Sequence, residues 1–583
     1  MILHDPGTIA RYTGLGLWGQ TTLDALFQAT VAARPGDEAV ADPPNRADFA
    51  FGAPRTLSYA DLEDHVVALA HRLLAAGLGK DSVIFTHLPN IAETIVVYLA
   101  GLRIGAIISP AQMAYGEADL ARKAAHVRAA GIVCLERYGE RRPAAEFERL
   151  RRTVGADAPP LFVLGEGDGA ISAFERPDAG QRSRVAAHNA STPVDANEVV
   201  GLLWTSGTTG FPKCAPRSHN NALSYAGITV ELSFMGPGAR ILVPLSMAHT
   251  SGLTCYFPAW LMTGGLLALH QPFDFALYLE QLETLRINAT VAAPAMLTMI
   301  LKQKALAGRD LSALTAIMSG SAPLDAWIIE TFEREYGITI ANSFGSTEGI
   351  AMGTGPWMSA SAEARATLYP RCVASALRPS AAAAGVPPDS ATPEQRWSFS
   401  IATGVQHRIV DLDTGEALSE ERRPGELALQ SPTLFAGYLN ADFTLDREDF
   451  DADGFFRTGE IFEIVAGEAG PDFLHYIDRL KDVINRGGVT IPAGELNAAV
   501  QEHPAILEAA VIGMPDPDLG ERICVAAVLR PGTTLSLAEL KDFVAATGIA
   551  RFMWPEHLVL VDALPRNPTG KVLKRELRDA VAP

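Results

Sequence analysis

A loop rich in hydroxyl groups and glycine follows an apolar run in the middle of the chain. Residues 205–210, TSGTTG, carry four hydroxyl side chains and two glycines, and they come directly after Val199–Trp204. The continuous apolar run predicts a strand that is buried on both faces. Glycine lets main-chain N–H groups approach an anion closely, and hydroxyl groups add donors. The loop is therefore a candidate phosphate cradle.

The spacing around this loop differs from that of a Walker A motif. Lys213 stands six residues after Gly207, but Pro212 occupies the position where that motif needs glycine, and Cys214 replaces its Ser or Thr. An ordinary loop of Gly, Ser and Thr without chemistry is the alternative interpretation. The rest of the chain has to decide between the two.

Five further blocks combine glycine, hydroxyl, aromatic and charged residues. They are SGSAPL at 319–324, NSFGSTEG at 342–349, DGFFRTGE at 453–460, YIDRLKDVINRGG at 476–488 and LPRNPTGKVLKREL at 564–577. Taken singly, several of their residues have ordinary explanations. Phe344 in an apolar run is typical of a core residue, Arg479 before Leu-Lys-Asp is typical of a solvated turn, and Lys571 is typical of a surface lysine.

The elements that must position these blocks alternate between helices and strands. Residues 57–79 have helical apolar spacing, 82–89 predict a strand, and 92–107 predict a helix that leads to the next strand. This alternation predicts an α/β fold with mostly buried sheets. After about residue 480, two helices and several short strands predict a second compact domain of about one hundred residues.

Four other stretches are interpreted without chemistry. The Arg-rich 136–153 and the Ala-, Pro- and Ser-rich 373–393 are expected to be surface loops. GLGLWG at 14–19 has the spacing of a dinucleotide fingerprint, but no apolar strand precedes it, so we reject that interpretation. The uncharged stretch 250–273 contains a proline and a glycine pair, which favour a buried helix and strand over a membrane span.

Composition sets further bounds on function. The chain has 583 residues, 48% of them hydrophobic and 20% charged, as expected for a globular protein of several domains. A net charge of −19 argues against nucleic acid as the main partner. The N-terminus lacks the pattern of a signal peptide. The five scattered cysteines, without a CxxC pair, predict reduced thiols in the cytoplasm and no zinc site.

In order and spacing, the six blocks resemble the signature blocks of the adenylate-forming superfamily of acyl- and aryl-CoA synthetases, standalone adenylation domains and luciferases. The resemblance extends from about residue 20 to residue 577. It implies a large N-terminal domain of buried sheets flanked by helices, 1–480, with the ATP and acid pocket. A small mobile α+β domain, 481–583, would carry the catalytic lysine.

The resemblance also implies a reaction in two halves. A substrate carboxylate attacks the α-phosphorus of ATP, which gives an acyl-adenylate and pyrophosphate, and a thiol, that of CoA, then displaces AMP. Positioning and charge stabilisation should dominate both halves. The small domain would rotate between them about a hinge at Lys481.

Roles for individual residues follow from the same resemblance. The phosphate loop would hold the β- and γ-phosphates, Thr347 would donate to the α-phosphate, and Phe344 would face adenine. The nucleotide-binding residues would be Thr205, Ser206, Gly207, Thr208, Thr209, Gly210, Lys213, Gly320, Ser321, Ala322, Asn342, Ser343, Phe344, Gly345, Glu460, Arg479 and Lys481. The catalytic residues would be Lys571, Glu348, Thr347 and His249, with Glu348 and Thr205 as Mg²⁺ ligands.

The chain departs from the family pattern at two positions. Glu460 stands where the family has the aspartate of a TGD motif, so the carboxylate that would meet the ribose hydroxyls, together with Arg479, is one methylene longer. The chain looks most like aryl-acid activators and cyclic-acid CoA ligases. In the dihydroxybenzoate activators, however, an asparagine that serves a ring hydroxyl follows the histidine, whereas here Thr250 follows His249.

The acid pocket is expected among 244–252, 319–324 and the residues after Gly349. His249 would gate or line it, with a core histidine as the alternative. These stretches carry no formal charge before Asp325, which predicts an apolar pocket for the distal part of the acid.

Three functions stay open at this point. The first is an AMP-forming ligase of CoA with an aryl, alicyclic or medium-chain acid. The second is a standalone adenylating enzyme that loads an acyl carrier protein. The third is a non-catalytic ATP-binding relative, which the presence of both Glu348 and Lys571 disfavours.

Overall fold

The computed structural model describes residues 1–205, 211–356, 361–370, 405–466, 473–487, 489–566 and 572–581. The chain divides into two compact units. The first comprises Met1–Thr205, Lys213–Val405 and Ser431–Glu448, and most of the second is formed by Gln406–Gln430 and Asp449–Pro583. The domain division at residue 480 stays a prediction.

The strands and helices are numbered along the chain. The strands are β1 Glu38–Ala41, β2 Thr56–Ser58, β3 Val83–His87, β4 Ile107–Pro110, β5 Gly131–Leu135, β6 Leu161–Leu164, β7 Val199–Trp204, β8 Cys214–Ser218, β9 Arg240–Val243, β10 Leu266–Leu269, β11 Ala289–Val291, β12 Ala316–Gly320, β13 Thr339–Gly345, β14 Ala351–Thr354, β15 Leu368–Pro370, β16 Gln406–Val410, β17 Ala417–Leu418, β18 Gly425–Gln430, β19 Tyr438–Leu439, β20 Leu445–Asp446, β21 Phe456–Val465, β22 Phe473–Arg479, β23 Ile484–Arg486, β24 Val489–Ile491, β25 Ile506–Asp516, β26 Gly520–Leu529 and β27 His557–Leu560. The α-helices are α1 Pro6–Gly14, α2 Leu23–Ala33, α3 Arg46–Phe49, α4 Tyr59–Ala75, α5 Ala92–Arg103, α6 Glu117–His126, α7 Pro143–Val154, α8 Ala179–Ser191, α9 His219–Leu232, α10 Phe257–Thr263, α11 Phe275–Thr284, α12 Pro294–Lys302, α13 Ala326–Thr331, α14 Ala362–Thr367, α15 Ala493–Gln501, α16 Leu537–Ala546 and α17 Lys574–Val581.

Two large sheets form the first unit. One has the strand order β14-β13-β12-β11-β9-β10-β1-β2, and the other has the order β20-β19-β8-β7-β4-β3-β5-β6. The inner strands run parallel, whereas β2, β14, β8, β19 and β20 pair in the antiparallel sense. Parallel strands with helices between them bury both faces, which explains their continuous apolar runs. The α/β fold predicted from the sequence is confirmed.

The helix α4 shows how the local sequence sets an element. It begins after Ser58, whose Oγ accepts a hydrogen bond from the Asp61 N–H and so satisfies one of the free donors of the first turn. Its buried face includes Leu62, Val66, Leu69 and Leu73, which recur at intervals of three and four residues. The predicted helix at 57–79 is therefore present and ends a few residues earlier.

The prediction of a loop at 136–153 is wrong for most of its length. Residues Pro143–Val154 form α7, with a proline in the first turn, and Phe147 is fully buried against Phe85 and His87. The many arginines cover the outer face of an amphipathic helix, so high charge did not indicate a loop. The other predicted loop, 373–393, lies outside the described residues.

The uncharged stretch 250–273 is buried as expected. It forms a π-helical turn, Ser251–Tyr256, that continues into α10 and then β10, and these elements lie in the core. Gly14–Gly19 follows a helix, α1, so the rejection of a dinucleotide fingerprint there is confirmed. Among the described helices, none has the length and apolar character needed to cross a bilayer.

The second unit contains two smaller sheets. The first has the neighbours β22-β21-β18-β16-β17, all antiparallel. The second has the order β24-β23-β26-β25, and β27 joins β26 in the parallel sense. The buried faces of α15 and α16 belong to the core that this second sheet forms. The helices and strands predicted after residue 480 are thus present as an α+β arrangement.

Candidate active site

The candidate phosphate loop connects two antiparallel strands. β7 is buried along its whole length, as predicted, and pairs with β8 so that Trp204 lies opposite Cys214. At the mouth of the loop, Thr205 N–H donates to the Lys213 carbonyl over 3.0 Å, and Lys213 N–H donates to Thr205 Oγ1 over 3.0 Å. Two reciprocal bonds thus close the base of the loop. Ser206, Gly207, Thr208, Thr209 and Gly210 lie outside the described residues.

The side chain of Lys213 lies at this base beside an aromatic ring. Its Nζ is 4.3 Å from the centroid of the Tyr438 ring and 3.9 Å from Oδ2 of Asp446. The side chain is half exposed, so its ammonium keeps solvent access. The ring face and the Asp446 carboxylate together hold the ammonium at the mouth of the loop, and its predicted contact with phosphate stays a prediction.

The block NSFGSTEG, 342–349, forms the end of β13 and the turn that leads to β14. Phe344 is half-buried, and its ring lies 5.9 Å from that of Tyr369 in an edge-to-face arrangement. Asn342 is buried, and its amide donates to the carbonyls of Arg365 and Ala366 while its Oδ1 accepts from Tyr369. The amide of Asn342 therefore supports the hairpin, and the nucleotide role predicted for it stays a prediction.

The block SGSAPL, 319–324, lies beside the β13–β14 hairpin because β12 and β13 are parallel neighbours. Gly320 stands opposite Ser343, and a Cβ at Gly320 would overlap the Ser343 main chain, so only glycine allows the approach. Ser321 follows with a positive φ of 67°, and both Ser321 and Ala322 are exposed. The structure thus brings the predicted adenine-binding residues together on adjacent strands.

Glu348 lies in the turn after β13, half-buried. Its Oε1 accepts a hydrogen bond from the Tyr438 hydroxyl over 2.5 Å, and its carbonyl accepts from Phe435 N–H and from Arg217 Nη1, each over 2.9 Å. Among the described residues, none donates to Oε2. The predicted metal ligand is therefore held at three points and keeps one carboxylate oxygen for another partner.

Arg217 is a charged residue in the fully buried strand β8. Its Nη2 donates to the Thr433 carbonyl over 2.6 Å, in addition to its bond to Glu348. It forms no ion pair with any described residue, and burial lowers the pKa of its guanidinium to about 10. Two of its donors are satisfied by the carbonyls of Glu348 and Thr433, whereas its buried Nε has no hydrogen-bond partner among the described residues. A buried cation with an unsatisfied donor is costly.

Thr347 contacts the segment 244–252, which contains His249 and where the acid pocket is predicted. Thr347 is buried, and its Oγ1 accepts from Thr250 Oγ1 over 3.1 Å, which places the segment after β9 against the turn that carries Glu348. His249 precedes the π-helical turn, and burial lowers the pKa of its imidazole, which favours the neutral form at physiological pH. π-Helical turns are frequent at functional sites.

The predicted ribose-binding pair lies in the second unit. Glu460 on β21 and Arg479 on β22 are directly opposite each other, with 3.3 Å between Glu460 Oε1 and Arg479 Nε. Glu460 Oε2 is buried and lacks a hydrogen-bond partner among the described residues. Burial raises the pKa of Glu460 to about 7, although Arg479 and a hydrogen bond from Tyr476 oppose this shift. An orphaned acceptor is what a ribose hydroxyl would satisfy.

Two residues of the predicted mechanism have less support from geometry. Lys481 is exposed after the end of β22, next to Leu480. Lys571 lies outside the described residues. No cluster of three or more His, Cys, Asp or Glu residues that could hold a metal occurs in the described parts of the chain.

A sequence profile described as AMP-binding enzyme matches residues 27–439, and one described as AMP-binding enzyme C-terminal domain matches residues 495–571. The chain belongs to the AMP-binding enzyme family. The predicted membership of the adenylate-forming superfamily is thereby confirmed, and ATP and a small-molecule acid are the substrates of this class.

Curated relatives in this family match the chain over nearly its whole length. A salicylyl-CoA synthase / salicylate adenylyltransferase of a Streptomyces species is 28% identical over 98% of this chain and 96% of its own. The medium-chain fatty-acid–CoA ligase of Escherichia coli K12 is 28% identical over 98% and 92%. A 4-coumarate–CoA ligase of rice, Oryza sativa subsp. japonica, is 27% identical over 92% and 90%.

Solved structures share the fold of this family member. The ATP-bound MatB of Rhodopseudomonas palustris aligns with a TM-score of 0.73 at 24% identity, covering 96% of this chain and 99% of MatB. The anthranilate CoA ligase AuaEII in complex with anthranoyl-AMP aligns with a TM-score of 0.71 at 18% identity, covering 97% and 98%.

The sequence reasoning missed Arg217 and Tyr438. Arg217 stands out in the sequence only as the charged residue of CAPRS, the run that follows the predicted phosphate loop and forms the buried strand β8. Tyr438 carried none, because its partners Lys213 and Glu348 are far from it in the sequence.

Proposed function

We propose that the chain is an ATP-dependent, AMP-forming ligase that joins a carboxylic acid to CoA, the class predicted from its sequence. The observation that carries the proposal is the arrangement around Tyr438. This residue brings the lysine of the phosphate loop, Lys213, and the carboxylate of Glu348 to one side chain. In the proposed mechanism, Lys213 would meet the departing pyrophosphate and Glu348 would bind the metal ion.

The donor set around Glu348 fits Mg²⁺. This ion dehydrates reluctantly and is usually bound by one or two carboxylates together with substrate phosphates, so a site without a cluster of protein ligands is expected. Glu348 Oε2 would be the carboxylate ligand, and Thr205 at the mouth of the loop would add a hydroxyl. When bound, Mg²⁺ would neutralise charge on the phosphate oxygens.

The residues of the chain then have separable tasks in adenylation. Lys213 and the loop hydroxyls would hold the β- and γ-phosphates, and Thr347 would donate to the α-phosphate. Phe344 and the main chain at Gly320 would flank adenine. Lys571 would place its ammonium where negative charge gathers as the acid attacks, and preorganised charge of this kind supplies much of the rate.

The ribose would be held by Glu460 and Arg479. The buried, unpartnered Oε2 of Glu460 supports an acceptor role toward a hydroxyl. Its Oε1 pairs with Arg479, the second predicted ribose contact, across the two strands. Under this proposal, both the carboxylate of Glu460 and its arginine partner would contact the ribose hydroxyls.

For the acid, we propose an aryl, alicyclic or medium-chain substrate with an apolar distal part. The region around His249 and Thr250 offers a neutral imidazole and a hydroxyl already bound to Thr347, and no formal charge. The curated relatives include enzymes for aromatic and for medium-chain acids, which supports both classes.

The thiol acceptor proposed is CoA. A carrier protein is the second candidate, since one relative is a salicyl-AMP ligase / salicyl-S-ArCP synthetase. We further propose that the protein works in the cytoplasm and that a small domain, 481–583, rotates about Lys481 between the two half-reactions.

The proposal is tested by incubating the protein with Mg-ATP and a panel of aromatic, alicyclic and medium-chain acids, with and without CoA. Acid-dependent pyrophosphate release, followed by acyl-CoA and AMP when CoA is present, is the expected result. Pyrophosphate release that CoA does not turn into acyl-CoA would favour carrier loading. Formation of ADP and phosphate, or no acid-dependent turnover, would contradict the adenylation mechanism.

A further inference from the structure

The turn that carries Glu348 is tied to residues 433–438 by several hydrogen bonds. Thr433 Oγ1 donates to the Gly349 carbonyl over 2.6 Å, and Phe435 N–H donates to the Glu348 carbonyl over 2.9 Å. Arg217 bridges the two segments by donating to the carbonyls of Glu348 and Thr433. The main chain at Glu348 is therefore fixed against the segment that leads into Tyr438.

Tyr438 then makes the contact to the carboxylate itself. It is 8% exposed, and its hydroxyl lies 2.5 Å from Glu348 Oε1. A hydrogen bond of this length to a carboxylate is strong, because the acceptor is charged. It restricts rotation of the carboxylate and, among the described residues, leaves Oε2 without a donor.

The ring of Tyr438 makes a second, independent contact. It carries the ammonium of Lys213 at 4.3 Å from its centroid. One side chain thus orients the carboxylate through its hydroxyl and the phosphate-loop lysine through its ring. The two functions can be separated experimentally, because phenylalanine keeps the ring and removes only the hydroxyl.

We propose that Tyr438 is a positioning residue for adenylation, whose hydroxyl orients the Glu348 carboxylate for Mg²⁺ bound to ATP. The inference rests on the proposed function, since it assumes that Glu348 is the metal ligand. Tyr438 itself touches neither metal nor substrate in this role. Groups that orient a metal ligand typically contribute about 10- to 100-fold to metal affinity or activity.

The test uses the full-length chain with Tyr438→Phe, and with Tyr59→Phe as the matched control. Tyr59 is a buried tyrosine of the same unit. Its hydroxyl donates to the Gly265 carbonyl and makes no hydrogen bond to Glu348. Two quantities are measured: the Mg²⁺ concentration that gives half-maximal pyrophosphate release, and the affinity for Mn²⁺ in the presence of ATP by electron paramagnetic resonance.

In Tyr438→Phe, the half-maximal Mg²⁺ concentration should rise about tenfold and Mn²⁺ affinity should fall by a similar factor. ATP affinity in EDTA should stay within about twofold of the unmutated protein, because the ring under Lys213 is kept. Tyr59→Phe should leave all three unchanged. In a Glu348→Gln background, Tyr438→Phe should have no further effect on metal binding, since coupled residues are not additive.

An unchanged metal dependence in Tyr438→Phe would overturn the positioning role. So would an equal loss of ATP affinity with and without metal, since this would indicate general damage to the site. If the unmutated protein released no pyrophosphate with any acid, the proposed function would fail, whereas the Mn²⁺ measurement would still decide the role of Tyr438.

Discussion

Glu460 and Arg479 face each other across two antiparallel strands, with 3.3 Å between Oε1 and Nε, and yet Glu460 retains a raised pKa of about 7. The reason is that burial acts against the charged carboxylate more strongly than the single arginine favours it. The second oxygen, Oε2, is buried without a hydrogen-bond partner among the described residues. The pair is therefore set up to gain from a donor supplied by a ligand.

This raised pKa predicts how stability depends on pH. The folded protein keeps the Glu460 proton up to about pH 7, whereas the unfolded chain releases it near the usual value of 4.5. The stabilisation that the protonated Glu460 adds to the free energy of unfolding is fully present below about pH 4.5 and is lost as the pH rises through 7. At about 1.4 kcal/mol for each unit of pKa difference, the total is about 3.5 kcal/mol at most.

Glu460→Gln should therefore become more stable relative to the unmutated protein as the pH rises from 5 to 8, as followed by thermal melting. Glu508→Gln, which removes a half-exposed carboxylate paired with Arg566 in the same unit, serves as the control and should show no such trend. A parallel pH profile for Glu460→Gln and the unmutated protein would contradict the raised pKa.

Gly349 is predicted to tolerate no side chain. Its φ is +111°, and a Cβ would overlap the Thr433 carbonyl oxygen and Nη1 of Arg217. Gly349→Ala should lower both the melting temperature and pyrophosphate release, because the turn that carries Glu348 must move. Gly308→Ala provides the control, since Gly308 also has a positive φ, 77°, but has open space around it.

Gly308→Ala should lower the free energy of unfolding by only about 1 kcal/mol, the strain of an alanine in the left-handed conformation. Equal destabilisation by the two substitutions would show that the approach of Arg217 to Gly349 is not restrictive.

Glu348→Gln is expected to lower pyrophosphate release by about 100-fold and to weaken its dependence on Mg²⁺, because it removes the charge that balances the cation and keeps the shape. Initial rates over a series of Mg²⁺ concentrations measure both effects. Glu363→Gln, at an exposed position in α14, should leave them unchanged. If the rate and the metal response survived in Glu348→Gln, the assignment of the metal ligand would be wrong.

Lys571→Ala should separate the two halves of the reaction. Loss of one preorganised charge costs about 10²- to 10³-fold, so adenylate formation should nearly disappear. Supplied with pre-made acyl-adenylate and CoA, the same variant should form acyl-CoA at close to the unmutated rate, since the lysine would be away from the site in that step. Lys574→Ala, three residues further along, is the control for both assays.

Equal losses of Lys571→Ala in the two half-reactions would argue against a rotation of the small domain. They would indicate instead that Lys571 supports the fold.

Much of the fold was predictable from sequence because its signals are local. The apolar run of β7 and the helical spacing of α4 reflect burial of successive residues, and the structure has both where they were expected. The prediction failed for α7, where charge on the exposed face concealed the buried Phe147. Burial of one side chain is decided by what packs over it, and periodicity does not reveal that.

The sequence by itself determined which residues are proposed for the site, through residue types in ordered blocks: a hydroxyl-rich loop with Lys213, a carboxylate at Glu348 and a carboxylate at Glu460. Only the tertiary structure decided how these groups are held. Tyr438 bonds to Glu348 across 90 residues of chain, and Arg217 reaches the same residue across 131. Hydrogen bonds between residues so far apart in the chain depend on distances that the packing of whole sheets sets. The order of residues in the sequence therefore does not predict them.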